Sequence, residues 1–516
     1  MKRALGYLFL LLAGLVAAGI VLRLLFPVPD VSNRLRSVAI GADLTSGIGQ
    51  RVAQAASTHP GKSGVVPLER GHDALVSRLG LIDAAEHSID AQYYIWHEDT
   101  SGLLLLDALL RAAKRGVRVR LLLDDNGVPG LDSILAALNA QDNFEIRLFN
   151  PSTVRSPKIL GYAFDFFRMN RRMHNKSFMV DGAVAIIGGR NIGDEYFQVG
   201  DDQFYVDLDV LATGAIVPET AKVFDAYWNS KSVHAVETII SGHGDIAAFR
   251  AAVASARSGK AAKAFELGMT SSGRRLIDSG IALEWTDVQV VADDPIKGQG
   301  IAKRDQLMIA RLSDILGAID HKLLLVSAYF EPGKQGTAYF TDLAGQGRDV
   351  RILTNALNTT DVLPVHAGYV KYRDQLLRAG VKLYELKLRA DGKDESELQL
   401  NPLGLSGASL HAKTFAVDDR RIFIGSFNFD PRSAILNCEM GFLIDSPAMA
   451  RSLGAGFDGS IDAVAYRPAI DANGKLVWHE KLPDGSEATY DSEPGATWLD
   501  VIALKIIGSL PVEALL

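Results

Sequence analysis

The 516-residue sequence has a single cysteine, Cys438. No intramolecular disulfide can form, and no cysteine cluster can hold zinc. Positive charge is not in excess: 54 Lys and Arg stand against 61 Asp and Glu, a formal net charge of −7. A general nucleic-acid binder is usually basic, so that class is disfavoured, although a local basic site is not excluded. The chain also lacks the low hydrophobicity of disordered proteins. Its 48% hydrophobic content fills large cores, and its length exceeds one ordinary domain.

What is present begins at the N-terminus. Lys2 and Arg3 precede nineteen uncharged residues, Ala4 to Leu22. That length fits a membrane-spanning helix, whereas a secretory apolar region is roughly 7–15 residues. "LAGL" at 12–15 has the outline of a lipoprotein box, but Leu15 stands where the cysteine must be, which excludes lipidation there. An uncleaved anchor over 1–26 is therefore expected. Lys2, Arg3 and the amino terminus face Arg23, Arg34 and Arg36, so charge does not set its orientation.

The body reads as a duplication. "HNKSFMVDGAVAIIGGRN" from His174 and "HAKTFAVDDRRIFIGSFN" from His411 share one pattern, H-x-K-x4-D-x6-G-[GS]-x-N. One such match arises by chance on the order of once in thousands of chains; two in one chain do not. The repeat extends outward. "HSIDAQYYIWHEDTSG" and "HKLLLVSAYFEPGKQG" each follow an amphipathic helix, and each is followed by helix, glycine turn and buried strand. After each motif comes another strand, "FYVDLDVLA" and "NCEMGFLI". Each half alternates helix and strand, which predicts a layered α/β sheet. The expected divisions are 1–26 anchor, 27–62 linker, 63–245 first half, 246–280 helical connector, 281–465 second half and 466–516 tail. The apolar end of the tail, interrupted by Asp500 and Lys505, is expected to pack on the body rather than cross a membrane.

The duplicated HxKxxxxD motif resembles the hallmark of the phospholipase D superfamily over about residues 63–465. "NRRMHNKSF", "GGRNIGDEYF", "DLDVLATG", "HAGYVKYRDQLLRAGVKLYEL" and the terminal "LPVEALL" look like its bacterial cardiolipin synthase branch, C-type members above all. The resemblance implies two similar α/β/α halves packed about a pseudo-twofold axis, with both motifs in one active site. The residue types suit phosphodiester chemistry. Imidazole is a nucleophile near neutral pH, and its conjugate acid protonates a leaving alkoxide. Two histidines can divide the reaction through a phosphohistidine. Lysines and asparagines stabilise charge on the phosphoryl oxygens, so no metal and no cofactor is expected.

By this resemblance His174 is the nucleophile and His411 the general acid, later the base; the near-symmetry of the motifs leaves the reverse order open. Lys176, Lys413, Asn191 and Asn428 grip the phosphate, with Ser426 at a phosphate-contact position where the first half has Gly189. An acid on the next strand orients each histidine: Glu439 follows His411, and alignment gives Asp207 to His174. Asp181 and Asp418 complete the motifs and are expected to tie their loops in place. Arg168, Arg171 and Arg172 fit either a solvated face or contact with an anionic headgroup. Tyr93, Tyr94, Trp96, Tyr329 and Phe330 read as core first and pocket lining second. Cys438 reads as a small buried residue.

The resemblance implies a phosphatidyltransferase making cardiolipin from phosphatidylglycerol and a second phospholipid, with phosphatidylethanolamine as a candidate donor. A phospholipase D hydrolase yielding phosphatidic acid is the alternative, since acceptor choice depends on pocket shape and water exclusion. A superfamily nuclease is disfavoured by the acidic charge and the anchor, and a non-enzymatic scaffold by two intact motifs. The expected partners are phospholipid substrates and the membrane, without nucleic acid. Some C-type members need a small protein partner, and a monomer suffices to build the site. The expected location is the bacterial inner membrane, with the catalytic body periplasmic.

Overall fold

The structure is a computed structural model that describes residues 2–43, 45–200, 204–260, 262–263, 282–387 and 409–509. Among these, two large sheets account for most of the strands. The first runs, edge to edge, Glu284–Thr286, Ser63–Leu68, Asp209–Gly214, Val184–Gly188, Ser177–Val180, Ser88–Tyr93, Arg118–Asp124, Phe144–Phe149 and Val233–Ala235. The second runs Val288–Ala292, Met440–Ile444, Arg421–Gly425, Lys413–Val417, Lys322–Ser327, Asp349–Asn355, Lys382–Leu386, Ala465–Ile470, Leu476–Lys481 and Glu487–Tyr490.

The duplication is visible strand by strand. Ser88–Tyr93, Arg118–Asp124 and Phe144–Phe149 are parallel neighbours, as are Lys322–Ser327, Asp349–Asn355 and Lys382–Leu386. Their near-continuous apolar runs follow from burial on both faces. In each half the motif strand lies antiparallel to the first of these, with Ile89 opposite Val180 and Leu323 opposite Val417. One hydrophobic cluster packs in the first half and another in the second. A third is shared: Met173, Ile187, Val210 and Trp228 meet Val326, Ile424, Cys438 and Phe442. The two halves are thus joined through a common apolar core, which holds both motifs against each other.

Three further stretches are built around the two repeated cores. The linker 27–62 contains a helix, Gly47–Ala56, capped by the Ser46 hydroxyl. Its earlier part is bound along the first half, where Ala39 N–H donates to Asp225 at 2.8 Å and Arg34 to the Ser230 carbonyl at 3.0 Å. The strand Glu284–Thr286 completes the first sheet against Ser63–Val65, so the chain changes sheets between Thr286 and Val288. The tail lengthens the second sheet through three antiparallel strands. Its last helix, Trp498–Ser509, buries Leu504 against the helix Leu363–Arg378. Of the connector, Ile246–Ser258 is a helix capped by Asp245, and residues 264–280 lie outside the described residues, as does the terminal "LPVEALL" from 510 onward.

The N-terminal segment is one 24-residue helix, Lys2–Leu25. The side chains at 1, 2, 4–6, 8 and 12 lie outside the described residues. Among the described residues no helix is long and apolar enough to cross a membrane.

Candidate active site

Each motif enters its strand through a backbone seam with the other half. His174 N–H donates to the Cys438 carbonyl at 2.8 Å, and Cys438 N–H to the Arg172 carbonyl at 2.8 Å. In the second motif, Ser409 and Leu410 pair in parallel with Tyr205 and Val206. His411 N–H then donates to the Val206 carbonyl at 2.8 Å. Each histidine is therefore stitched to the residue that immediately precedes the other half's acid.

The acids follow the seams. Glu439 Oε2 lies 2.9 Å from His174 Nδ1, and Asp207 Oδ2 lies 2.6 Å from His411 Nδ1. This corrects the pairing expected from alignment, which gave Asp207 to His174 and Glu439 to His411. The same two acids face the histidines, but each faces the histidine of the other half. Alignment compares each half with itself, and the exchange is made by contacts between residues more than 200 positions apart.

The electrostatics of the two pairs differ. Burial, then Lys176, Lys413 and His411, push His174 well below the usual imidazole range. Burial and Lys413 also lower His411, against the pull of Asp207. Burial pushes the Asp207 carboxyl up, but His411, Lys413 and Arg190 outweigh it and hold it at about 2. Glu439 has no such surplus of cations. Burial raises it to about 7, with Lys176 opposing, and it also accepts from the Ser426 hydroxyl. One histidine thus faces a fixed carboxylate, and the other an acid that burial raises towards neutral pH. Burial drives Lys176 well below its usual value and Lys413 to about 8.

The remaining expected residues divide into two sets. Lys176 donates to the His174 carbonyl at 2.6 Å, and Lys413 lies 3.0 Å from His411 Nδ1. Asn191 and Asn428 are buried. Asn191 is held by the Ile95 N–H and the Tyr196 hydroxyl, at 3.1 and 3.0 Å, while Asn428 Oδ1 has no hydrogen-bond partner among the described residues. Ser426 sits beside Glu439; a Cβ at its counterpart, Gly189, would stand 2.1 Å from Asp207 Oδ1. Asp181 and Asp418 lie at the far ends of the motif strands. Asp181 accepts from the N–H groups of Glu86, His87 and Ser88, and Asp418 from those of Asp320, His321 and Lys322.

The arginines before His174 are engaged by protein. Arg172 pairs with Asp124 at 3.1 Å, Arg168 with Asp165 at 2.5 Å, and Arg171 donates to the Phe167 carbonyl. Tyr93, Trp96 and Phe330 belong to the core. Tyr94 and Tyr329 instead pack edge-on against His174 and His411, with centroids 5.0 and 6.4 Å away. Cys438 is buried, and burial pushes its thiol to about 12.

Sequence reasoning missed a cleft next to the site. A cleft of about 340 Å³ is lined by Glu195, Phe204, Tyr205, Asn358, Thr359, Thr360, Asp361 and Ser409. One of its lining residues touches the site, since the Tyr205 ring lies 5.1 Å from that of His411. Tyr329 and Tyr205 both donate to Asp361, at 2.7 and 3.3 Å. "GDEYF" carried Glu195 and Tyr196, but Asp361 lies in no repeated motif. Nearby, His97, Asp99 and Glu195 place ligand-type atoms within 4.8 Å of one another. Asp99 caps a helix through Gly102 N–H and accepts from Asp194 N–H, and His97 pairs with Glu195 at 3.1 Å. Capping and ion pairing account for that group.

Two α/β halves that exchange acids around paired His–Lys motifs define the phospholipase D-like class of enzymes. The family model described as "Cardiolipin synthase, PLD-like domain" matches residues 79–228 and 312–460, and the chain belongs to this family. It is 44% identical over 466 residues to cardiolipin synthase C of Escherichia coli (strain K12), covering 89% of this chain and 98% of that protein. It is 26% identical over 384 residues to the major cardiolipin synthase of Bacillus subtilis (strain 168), covering 74% and 66%. Among solved structures, a phosphatidylserine synthase of Haemophilus influenzae Rd KW20 matches with a TM-score of 0.47 and 15% identity, covering 79% of this chain and 88% of that one.

Proposed function

We propose that the chain is a phosphatidyltransferase that makes cardiolipin from phosphatidylglycerol and a second phospholipid, through a phosphohistidine on His174. The observation that carries the order of events is the unequal pairing of the histidines. Nδ1 of His174 is held by Glu439, which leaves Nε2 for phosphorus, and its low proton affinity keeps it an unprotonated nucleophile. His411 faces the ionised Asp207 and is the histidine better able to carry a proton. In the first step the His174–phosphorus bond forms and the phosphorus–headgroup oxygen bond breaks, while His411 gives its proton to the leaving alkoxide. In the second step the acceptor hydroxyl returns a proton to His411 and attacks phosphorus, and His174 leaves. Lys176, Lys413, Asn191, Asn428 and Ser426 are assigned to the phosphoryl oxygens. Asp181 and Asp418 serve the fold of the motifs.

The relatives named cardiolipin synthases support this reading. The cleft beside His411 is where leaving headgroup and acceptor exchange. Its Glu195 and Asp361 carboxylates favour an ammonium headgroup, which supports phosphatidylethanolamine as a donor. The apolar, exposed side chains of the N-terminal helix, Tyr7, Phe9, Leu10, Leu15 and Ile20 among them, support an anchor in the inner membrane. The catalytic body is assigned to the periplasmic side.

Lipid product analysis by mass spectrometry tests the reaction. Purified protein is mixed with phosphatidylglycerol vesicles, with and without phosphatidylethanolamine, beside His174→Ala. Cardiolipin that depends on His174 is the expected result. Phosphatidic acid without cardiolipin would instead make the chain a hydrolase with water as acceptor.

A further inference from the structure

The turn Lys158–Gly161 and the helix Tyr162–Met169 present their apolar side chains outward. Ile159 is 72% exposed, Leu160 52%, Phe166 40% and Phe167 78%. Ala163 is exposed between them; the backbone leaves the helical region at Asp165, so it is the exposure of each side chain rather than a regular helical spacing that defines this outward apolar patch. The inward face holds Asp165 and Met169, both buried. A helix bathed in water has the reverse arrangement, and a contiguous apolar face of this kind marks an interaction surface.

Two observations identify the occupant. The N-terminal helix ends beside this same helix, next to its exposed face: Phe26 stacks on Phe164 with centroids 6.1 Å apart, and the Thr153 hydroxyl donates to the Phe26 carbonyl at 3.0 Å. Arg23 approaches Asp165 at 4.0 Å. The chain therefore leaves its anchor at this helix. The same helix leads into the first motif. Tyr162 donates to Asn126 at 3.3 Å and to the Met169 carbonyl at 3.1 Å, and His174 follows five residues after Met169.

We propose that the face formed by Ile159, Leu160, Ala163, Phe166 and Phe167 inserts into a phospholipid bilayer at headgroup depth, and so places the His174 side of the active site at the lipid surface. This rests on the anchor reading given above. The apolar side chains exchange water for the upper acyl region, as interfacial helices do, and the phosphodiester of a substrate then needs to rise only to the level of its own headgroup.

Site-directed spin labelling of the full chain in vesicles of phosphatidylglycerol and phosphatidylethanolamine tests the proposal. Cys438 is buried, so Phe167→Cys offers the accessible thiol, and Ser486→Cys on the exposed tail hairpin is the control. The label at 167 is expected to collide with oxygen and to be shielded from a nickel chelate, with the opposite at 486. Equal access of the chelate to both sites would overturn the proposal. So would dipolar broadening between labels at 167 that disappears on dilution with unlabelled chain, because a second copy would then cover the face. As a second measurement, Ile159→Asp with Phe167→Asp should lower turnover on vesicles by roughly tenfold or more, yet leave turnover on detergent-dispersed lipid within roughly twofold. Equal losses on both would place the effect in folding and refute insertion. If the parent chain turns over neither form of lipid, the proposed reaction fails while the spin-label comparison still decides the surface.

Discussion

His174 and His411 look interchangeable in the sequence and are not so in the fold. Asp207, held at about 2, is a full charge beside His411, whereas burial raises Glu439 to about 7 beside His174 and Ser426. Neutralising the first therefore removes more than neutralising the second. Asp207→Asn should lower kcat/KM by about 10²- to 10⁴-fold, and Glu439→Gln by about tenfold, measured on mixed vesicles. Equal losses would contradict the division of roles. The pH profile offers a second check. Burial lowers His411, and burial lowers Lys413 to about 8. A bound phosphodiester adds negative charge against both groups, which raises their proton affinity. Activity that needs a protonated group is lost as pH rises through its pKa. The alkaline limb of kcat, set by the loaded enzyme, should then lie at higher pH than that of kcat/KM, set by the free enzyme. Coincident limbs would mean that neither group meets the phosphate.

Among elements, the turns that end the motif strands show why the motif keeps an aspartate far from the chemistry. Asp181 and Gly182 are both left-handed, with φ of 50° and 59°, as are Asp418 and Asp419 at 54° and 52°. Ala183 N–H closes one turn on the Val180 carbonyl at 3.0 Å, and Arg420 N–H closes the other on Val417 at 3.0 Å. This is the type I′ geometry of tight hairpins, which aspartate tolerates better than most residues. The Asp181 carboxylate then takes three N–H groups at the start of the neighbouring strand, so one side chain fixes both the turn and the register. Asp181→Ala strands those donors and puts alanine in a left-handed position. It should cost about 2–4 kcal/mol of stability, read by denaturant unfolding, while turnover per folded molecule changes little. A large loss of turnover at unchanged stability would make Asp181 a reacting group. The sequence exposed this level well, since apolar alternation and glycine turns are local signals. It did not expose the strand Glu284–Thr286 joining the first sheet, because its partners, Ser63 to Val65, lie more than 200 residues earlier.

Across the whole molecule, the repeated motif made two halves and one shared site legible, because His, Lys and Asp recur at fixed spacing. It could not make the exchange of acids legible. His174 reaches Glu439 and His411 reaches Asp207 only because the seams at Cys438 and Val206 cross between halves, and no local pattern encodes a crossing. The cleft wall at Asp361 was hidden for the same reason. The crossing has a consequence for assembly: every histidine, lysine and orienting acid of one site comes from a single chain, held by the shared core of both sheets. Two chains need not trade halves. A mixture of His174→Ala and His411→Ala proteins, refolded together from denaturant, should therefore recover less than a few per cent of parent turnover, since each chain carries one crippled site. Recovery approaching one quarter of parent turnover, the share expected if halves assort freely between two chains, would show instead that the seams at Cys438 and Val206 form between molecules, and that the working unit is an exchanged dimer.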